Sequence, residues 1–468
     1  MGGIDRFLVV GIAASLGAIG FLLLRRSPRL ALVAWLTVLA LVPYWIGVNV
    51  VTYLPATSLV AALAAAALYS SRSSRVGLVD VLLLTIVALY VVSFLIDEAT
   101  LGAGFTLVVH WAAGYLLGRV IGTSVDLEWI HGAVAVAMTA AAVLALEEFL
   151  TGQNLLAFLK MDNSAYTIWG DVQIRGGLAR SEGAFGHSIA LGASLAMALP
   201  LAIASTFRPW IRGAMVVTIL AATVVTFSRT GMICAVFSLV LCVFFLRGYL
   251  TLRARVALVV GSLAVAAVAV PFLLATFAEA GDEATDSSSY RGDLLSLVPT
   301  MSILGEAESA YRTPTGDTLY GSFHSIDSAL ILLGLTLGLV PLAIVVTLLV
   351  AAIGFVVSGR ATASTIAVVG QIPALATVAL ITQYSTFFWF IAGLAVVSQS
   401  RAATRASRAD ASREAVPGLV APAPVDSAAG GTDHSGAPGP AWPGRRPSTV
   451  SARYEEKAPP WRNATTWC

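Results

Sequence analysis

Long apolar runs, each near the length needed to cross a bilayer and each closed by a short polar or basic loop, dominate this chain. A spanning helix needs about 20 mostly apolar residues, with a working range of roughly 17–25. Such runs lie near 7–24, 30–50, 54–70, 77–96, 104–121, 130–150, 187–206, 213–227, 231–246, 256–277, 325–346, 363–381 and 384–399. The weakest are 54–70, short and Ala-rich, and 104–121, which carries His110 and Arg119. Composition agrees, with 57% of the 468 residues hydrophobic and 12% charged. An ordinary soluble domain is roughly 25% charged. So apolar a surface finds its solvent in lipid. The pattern predicts an all-α fold: a polytopic membrane helical bundle of about 12–13 transmembrane helices. Membrane lipids are thus expected neighbours. A net charge of +2 supplies no basic face for a phosphate lattice, so nucleic acid is not an expected partner.

Basic loops assign the sides, because short Lys/Arg-rich loops stay in the cytoplasm. Five such clusters occur: Arg25-Arg26-Ser27-Pro28-Arg29, Arg72 with Arg75, Arg208 with Arg212, Arg247 with Arg253 and Arg255, and Arg401 with Arg405 and Arg408. Thirteen spans and an outside amino terminus put all five on the cytoplasmic face. The first run ends in Arg25-Arg26 instead of a small-residue cleavage site, so it reads as a span and not as a cleaved signal. The main outside loops are then 97–103, 151–186, a tight turn at 228–230, and 278–323. Three regions follow: N-terminal spans 1–150, a 151–400 region holding the two large outside loops (151–186 and 278–324), and an Ala/Pro/Gly-rich tail 401–468. The tail buries too little apolar area to offset its chain entropy and reads as disordered and cytoplasmic. Cys234 and Cys242 share an apolar run and form no CxxC pair, so they read as small buried residues.

Connections above about 12–15 residues are uncommon unless functional or disordered. The first large loop ends in Arg175, Arg180, Glu182 and His187 at the mouth of the next span. The second holds Tyr290-Arg291 and leads into His324 and Asp327. Between them, Thr226-Phe227-Ser228-Arg229-Thr230-Gly231 places one arginine in a very apolar helical pair. Singly, each has a plain structural explanation: Arg229 as a snorkelling side chain, Arg180 and Arg291 as partners of Glu182 and Asp293, His324 as a cap. Together, on one membrane face, they suit a phosphorylated ligand. Arginine pairs bidentately with phosphate oxygens and keeps its charge in a low-dielectric setting. A greasy groove beside such a cluster suggests a polyprenyl diphosphate, held by Arg180, Arg229 and Arg291 as it becomes a leaving group. A histidine or carboxylate would take the acceptor's proton. The acidic pairs Asp97-Glu98 and Asp282-Glu283 have no histidine nearby, so no metal site is expected.

At these residues the sequence resembles the O-antigen ligase and Wzy-type O-antigen polymerase family of membrane glycosyltransferases. Three blocks carry the likeness: Arg180-Ser-Glu-Gly-Ala-Phe-Gly-His-Ser-Ile-Ala-Leu-Gly192, Thr226-Phe-Ser-Arg-Thr-Gly231, and Tyr290-Arg291 with Gly305 and His324-Ser-Ile-Asp-Ser-Ala-Leu leading to Gly338. They cover roughly 175–345. The resemblance implies transfer of a glycan from an undecaprenyl-diphosphate carrier to the hydroxyl of an acceptor glycan or lipid. The reaction would be metal-independent and inverting, without a cofactor, on the outer face of the bacterial cytoplasmic membrane. It carries over Arg180 and Arg291 as diphosphate ligands, Arg229 as a structural or substrate-adjacent arginine, and the third block's histidine as the group that activates or orients the acceptor.

The ligases usually open that last span with His-Asn, eleven residues before a glycine. Here the residue eleven before Gly338 is Asp327, as in several polymerases, and His324 lies about one helical turn earlier. Either is a candidate base, and the register favours a polymerase over a lipid A ligase. A transporter or flippase of lipid-linked or small polar substrates is the competing class, kept open by Pro200, Pro271, Pro341 and Pro373 in apolar runs. A different membrane glycosyltransferase, with an acidic pair in its first outer loop, would use Asp97-Glu98, but that loop is short.

Overall fold

The computed structural model describes residues 15, 17–49, 52–69, 76–175, 177–246, 252–261, 263, 264, 267, 290, 292–313, 318–323 and 325–414. Arg291, His324 and residues 415–468 of the predicted tail lie outside these, as do most of the 256–277 run and the start of the 7–24 run. By contacts the chain divides into two units, 1–412 and 413–468; only residues 413 and 414 of the second are described.

The described residues are mostly helical, 75% helix and 5% strand. The helices that matter here are α1 (Pro28–Leu41), α2 (Ala56–Leu68), α3 (Leu78–Leu95), α4 (Leu101–Ser124), α5 (Leu127–Thr151), α6 (Ser164–Trp169), α7 (Ser188–Ala204), α8 (Pro209–Val225) and α9 (Arg229–Phe245). After the second large loop come α10 (Ala329–Leu337), α11 (Leu339–Val357), α12 (Ala363–Val369), α13 (Ile372–Thr377) and α14 (Thr382–Glu414). Among the described residues, three antiparallel two-stranded ribbons decorate the loops: β1–β2 (Gly47–Asn49, Tyr53–Pro55), β3–β4 (Ile174–Arg175, Leu178–Ala179) and β5–β6 (Ala310–Arg312, Thr318–Tyr320).

Among the described residues, α3, α4, α5 and α11 are long and apolar enough to cross a membrane. Two of them leave their apolar faces uncovered. Along α3 only Ile86, Tyr90 and Ser93 are buried, and along α11 only Pro341, Val345 and Val356. Apolar surface of that extent requires an apolar solvent or a partner. The opposite case is α7, where every residue but Ile189 is buried. It is the centre of the core, with α5, α8, α9 and α12 packed around it.

Several predicted spans end elsewhere than expected. The 30–50 run is helical only to Leu41, because Val42 precedes Pro43 and is pushed to an extended conformation. The 325–346 run breaks at Gly338, whose φ of +96° favours glycine. That break is plugged by the second large loop. The N–H groups of Leu339 and Val340 donate to the carbonyls of Ser302 and Ile303, at 2.9 and 3.2 Å. The carbonyls of Leu335 and Leu337 accept from Ala307 and Gly305. All four are helix-end groups that would otherwise need water. The 363–381 run is two short helices, α12 and α13, parted at Gly370-Gln371. The tail expected from residue 401 also needs correction: α14 continues to Glu414, through Ala- and Arg-rich sequence of high helix propensity.

Contacts between loops fall into two sets. In one, Gln383 donates to the Val42 carbonyl, Tyr44 N–H to Ala184, and Glu306 N–H to Glu98. In the other, Arg29 pairs with Asp126, Arg401 donates to the carbonyls of Thr123 and Val125, and Gln399 to that of Arg360.

Candidate functional site

The first two sequence blocks meet directly. Ser181 N–H donates to the Val225 carbonyl at 3.2 Å, and Arg180 Nε donates to the Thr226 carbonyl at 3.3 Å. Below them α7 and α9 touch at a pair of glycines. A Cβ on Gly231 would sit 2.9 Å from Cα of Gly192, so nothing larger fits at this approach. The turn between α8 and α9 holds Phe227 at φ +49°, a left-handed conformation that costs a non-glycine residue of order 1–3 kcal/mol. Full burial of its ring, packed on Phe149 with centroids 6.0 Å apart, holds it there. Ser228 caps α9 by accepting from Gly231 N–H, which leaves Arg229 as the first helical residue, exposed at the rim.

Arg180 itself is buried, 7% exposed. Its Nη1 donates to Gln173 Oε1 at 2.9 Å, and the same amide oxygen lies 3.5 Å from Ser188 Oγ at the start of α7. The guanidinium thus fixes the loop over the α8–α9 turn while placing a full positive charge inside the protein. Behind it, Glu148 near the end of α5 is 1% exposed, and its Oε2 accepts from the N–H groups of Glu182 and Gly183 at 3.2 and 2.8 Å. Asn154 Nδ2 donates to the Gly183 carbonyl. Burial pushes the Glu182 carboxyl up to about 8. The nearby Glu148 adds to the rise, while the Gln173 N–H and Arg180 oppose it.

The third block joins through an element the sequence did not single out. Tyr290 OH donates to the Ser325 carbonyl, and Ser325 Oγ donates to Asp327 Oδ1 at 3.1 Å. Tyr290 and Ser325 are the chain neighbours of Arg291 and His324. Asp327 is partly exposed, one residue before Ser328, the cap of α10. The carbonyls of Leu375 and Val378 then accept from Ser328 Oγ and Ala329 N–H, tying the start of α10 to α13. On α13, Thr377 Oγ1 lies 3.5 Å from Thr230 Oγ1 of the second block. A continuous path of contacts therefore runs from Arg180 through Thr226 and Thr230 to Thr377, and from Val378 to Ala329 beside Asp327.

Sequence reasoning missed Glu148, Gln173 as a partner of Arg180, and the bridging position of α13, which lies within the predicted 363–381 run. Glu148 did carry a signal: a carboxylate in the last turns of an apolar helix is costly unless donors meet it. A second buried charge cluster went unnoticed. Asp80 near the start of α3 accepts from Arg119 Nε at 2.9 Å and Nη2 at 2.6 Å, from Tyr115 OH, and from Gly77 N–H. Among the described residues no group of three or more His, Cys, Asp or Glu side chains is placed to hold a metal ion. No protein-family model matches this chain, and no curated protein matches it.

Proposed function

We propose that this chain is a multi-pass glycosyltransferase of a bacterial cytoplasmic membrane. It moves a glycan from an undecaprenyl-diphosphate carrier to an acceptor hydroxyl at the outward ends of its 12–13 spans, in cell-surface polysaccharide assembly. The observation that supports this most is the contact path joining three blocks drawn from 180–192, 226–231 and 290–338. In this reading the acceptor oxygen attacks the anomeric carbon from the face opposite the carrier, and its proton passes to Asp327 or His324. The bond from carbon to the diphosphate oxygen breaks with inversion. Arg229 and Arg291 hold the departing diphosphate. Arg180, with Nε and Nη1 committed to Thr226 and Gln173, contributes mainly its charge, which acts strongly in so dry a setting. Polymerisation is favoured over ligation by the Asp327 register.

The test is binding of undecaprenyl diphosphate to purified protein in lipid nanodiscs. Arg229→Ala and Arg291→Ala are each expected to weaken binding by tenfold or more, about 1.4 kcal/mol. Lysine at either site should recover only part of it, lacking the planar fork. Undiminished binding in both alanine variants removes the diphosphate clamp. The alternative of a transporter or flippase draws support from Asp80–Arg119, an ion pair with side chains 14% and 11% exposed between apolar helices, and from the interrupted helices at Gly338 and Gly370.

A further inference from the structure

A cavity of about 410 Å³ lies apart from the arginine junction, between the first turns of α4 and helix α10, roofed by the β5–β6 ribbon and Glu306. Its mouth is polar: the side chains of Thr100, Thr106, Thr318, Thr336 and Tyr320 surround Glu306. Its floor is apolar, formed by Leu332, Leu333, Leu337 and Leu380 with Trp111. The Glu306 side chain is 13% exposed; one oxygen lies 3.6 Å from Arg312 Nη2, and the other, Oε1, is buried with no hydrogen-bond partner among the described residues. Leaving such an acceptor unmet is costly, so the site lacks a donor.

Leu107 and Trp111 are shared by its lining and that of a second cavity of about 330 Å³ between α3 and α4, which also touches Asp80 and Arg119. That second cavity in turn shares Leu83, Tyr115 and Trp389 with a nearly all-apolar cleft of about 280 Å³ against α11 and α14. A polar mouth over an apolar floor fits an amphiphile. The head's charge can be read from the mouth. Arg312 already answers the Glu306 charge, so what is wanting is an O–H donor and not a second cation. Glu98, whose carbonyl accepts from Glu306 N–H, adds acidity that disfavours a phosphate head.

We propose that this cavity binds an uncharged, hydroxyl-rich amphiphile, a glycolipid by chemical class, with a sugar hydroxyl donating to Glu306 Oε1 and the start of the hydrocarbon chain lying against Leu332, Leu333, Leu337 and Trp111. Ala329 lines the cavity two residues after Asp327, so under the glycosyltransferase reading this is the acceptor side of the reaction. Only that last assignment rests on the reading; the binding site does not.

The test uses full-length protein in nanodiscs free of glycoside detergents, with a diazirine-bearing dodecyl β-glucoside as photolabel. Labelling is expected within 100–111 and 329–337, and to be displaced by dodecyl glucoside at concentrations at least tenfold below those of dodecyl phosphate or dodecylammonium. Glu306→Leu is expected to cut labelling tenfold or more, and Glu306→Gln, which keeps an acceptor, to retain most of it. Leu332→Trp, which fills the floor and leaves the mouth intact, should block the label and so guards against misfolding at Glu306. Equal displacement by the ammonium or the phosphate, or labelling indifferent to Glu306→Leu and Leu332→Trp, overturns the proposal. Labelling is read without sugar transfer: a labelled protein that transfers nothing keeps this site and removes the transferase reading, and an active but unlabelled protein does the reverse.

Discussion

At the scale of single residues, the Gly192–Gly231 approach has a directional consequence. A Cβ added at Gly231 meets the backbone of Gly192, which moves only if α7 and α9 part. One added at Gly192 first meets the Thr226 hydroxyl at 2.9 Å, a side chain that can turn away without parting the helices, at the cost of its bonds to the Thr223 carbonyl and Ser228 N–H. Gly231→Ala is therefore expected to cost about 1–3 kcal/mol, and Gly192→Ala less, read as thermal midpoints of the purified protein. Glu182 carries a pH signature. Its carboxyl rises from an ordinary 4.5 to about 8, so the folded state holds a proton that the unfolded chain releases. Its contribution to stability is full below pH 4.5 and is lost as pH rises towards 8. The wild-type midpoint should fall across that interval, and Glu182→Gln should flatten the fall; an unchanged profile in the variant contradicts the assignment. Arg229 stood out in the sequence because a guanidinium in an apolar run is rare and expensive, and Arg180 and Arg291 because they lie in the two long loops. What Arg180 holds did not, since Gln173 and the Thr226 carbonyl are ordinary groups made partners only by folding.

At the scale of elements, run length alone located most helices, and side-chain periodicity added little because α3 and α11 are apolar all round. The breaks were the part that could not be read. Gly338 parts α10 from α11 only because the loop 302–307 is there to satisfy the freed backbone groups, and that loop is distant in sequence. The same holds for α13, whose Thr377 and Val378 bridge the second and third blocks. Arg119 was visible as a blemish in the 104–121 run, but its partner Asp80 lies 39 residues earlier. Breaking a buried ion pair by removing one side strands the other charge. Asp80→Ala is therefore expected to destabilise by about 3–5 kcal/mol, whereas Asp80→Leu combined with Arg119→Leu should restore much of that loss. A double variant as unstable as the single one shows that the pair does more than cancel charge.

At the scale of the whole molecule, loops far apart in sequence meet, Glu98 with Glu306 and Arg29 with Asp126. Helix α10 lines the Glu306 cavity, and its start is tied to α13, which reaches the arginine junction at Thr230; under the proposed function these are the acceptor and donor sides of one reaction. The central claim is chemical and is best met by chemistry. Purified protein incubated with an undecaprenyl-diphosphate-linked oligosaccharide, with and without EDTA, is followed by mass spectrometry of glycan and carrier. The account predicts lengthened glycans, one free undecaprenyl diphosphate for each glycosidic bond made, and indifference to the chelator. Glycan that stays its original length on an intact carrier, in protein that binds that carrier, would contradict it and leave movement of the lipid as the function.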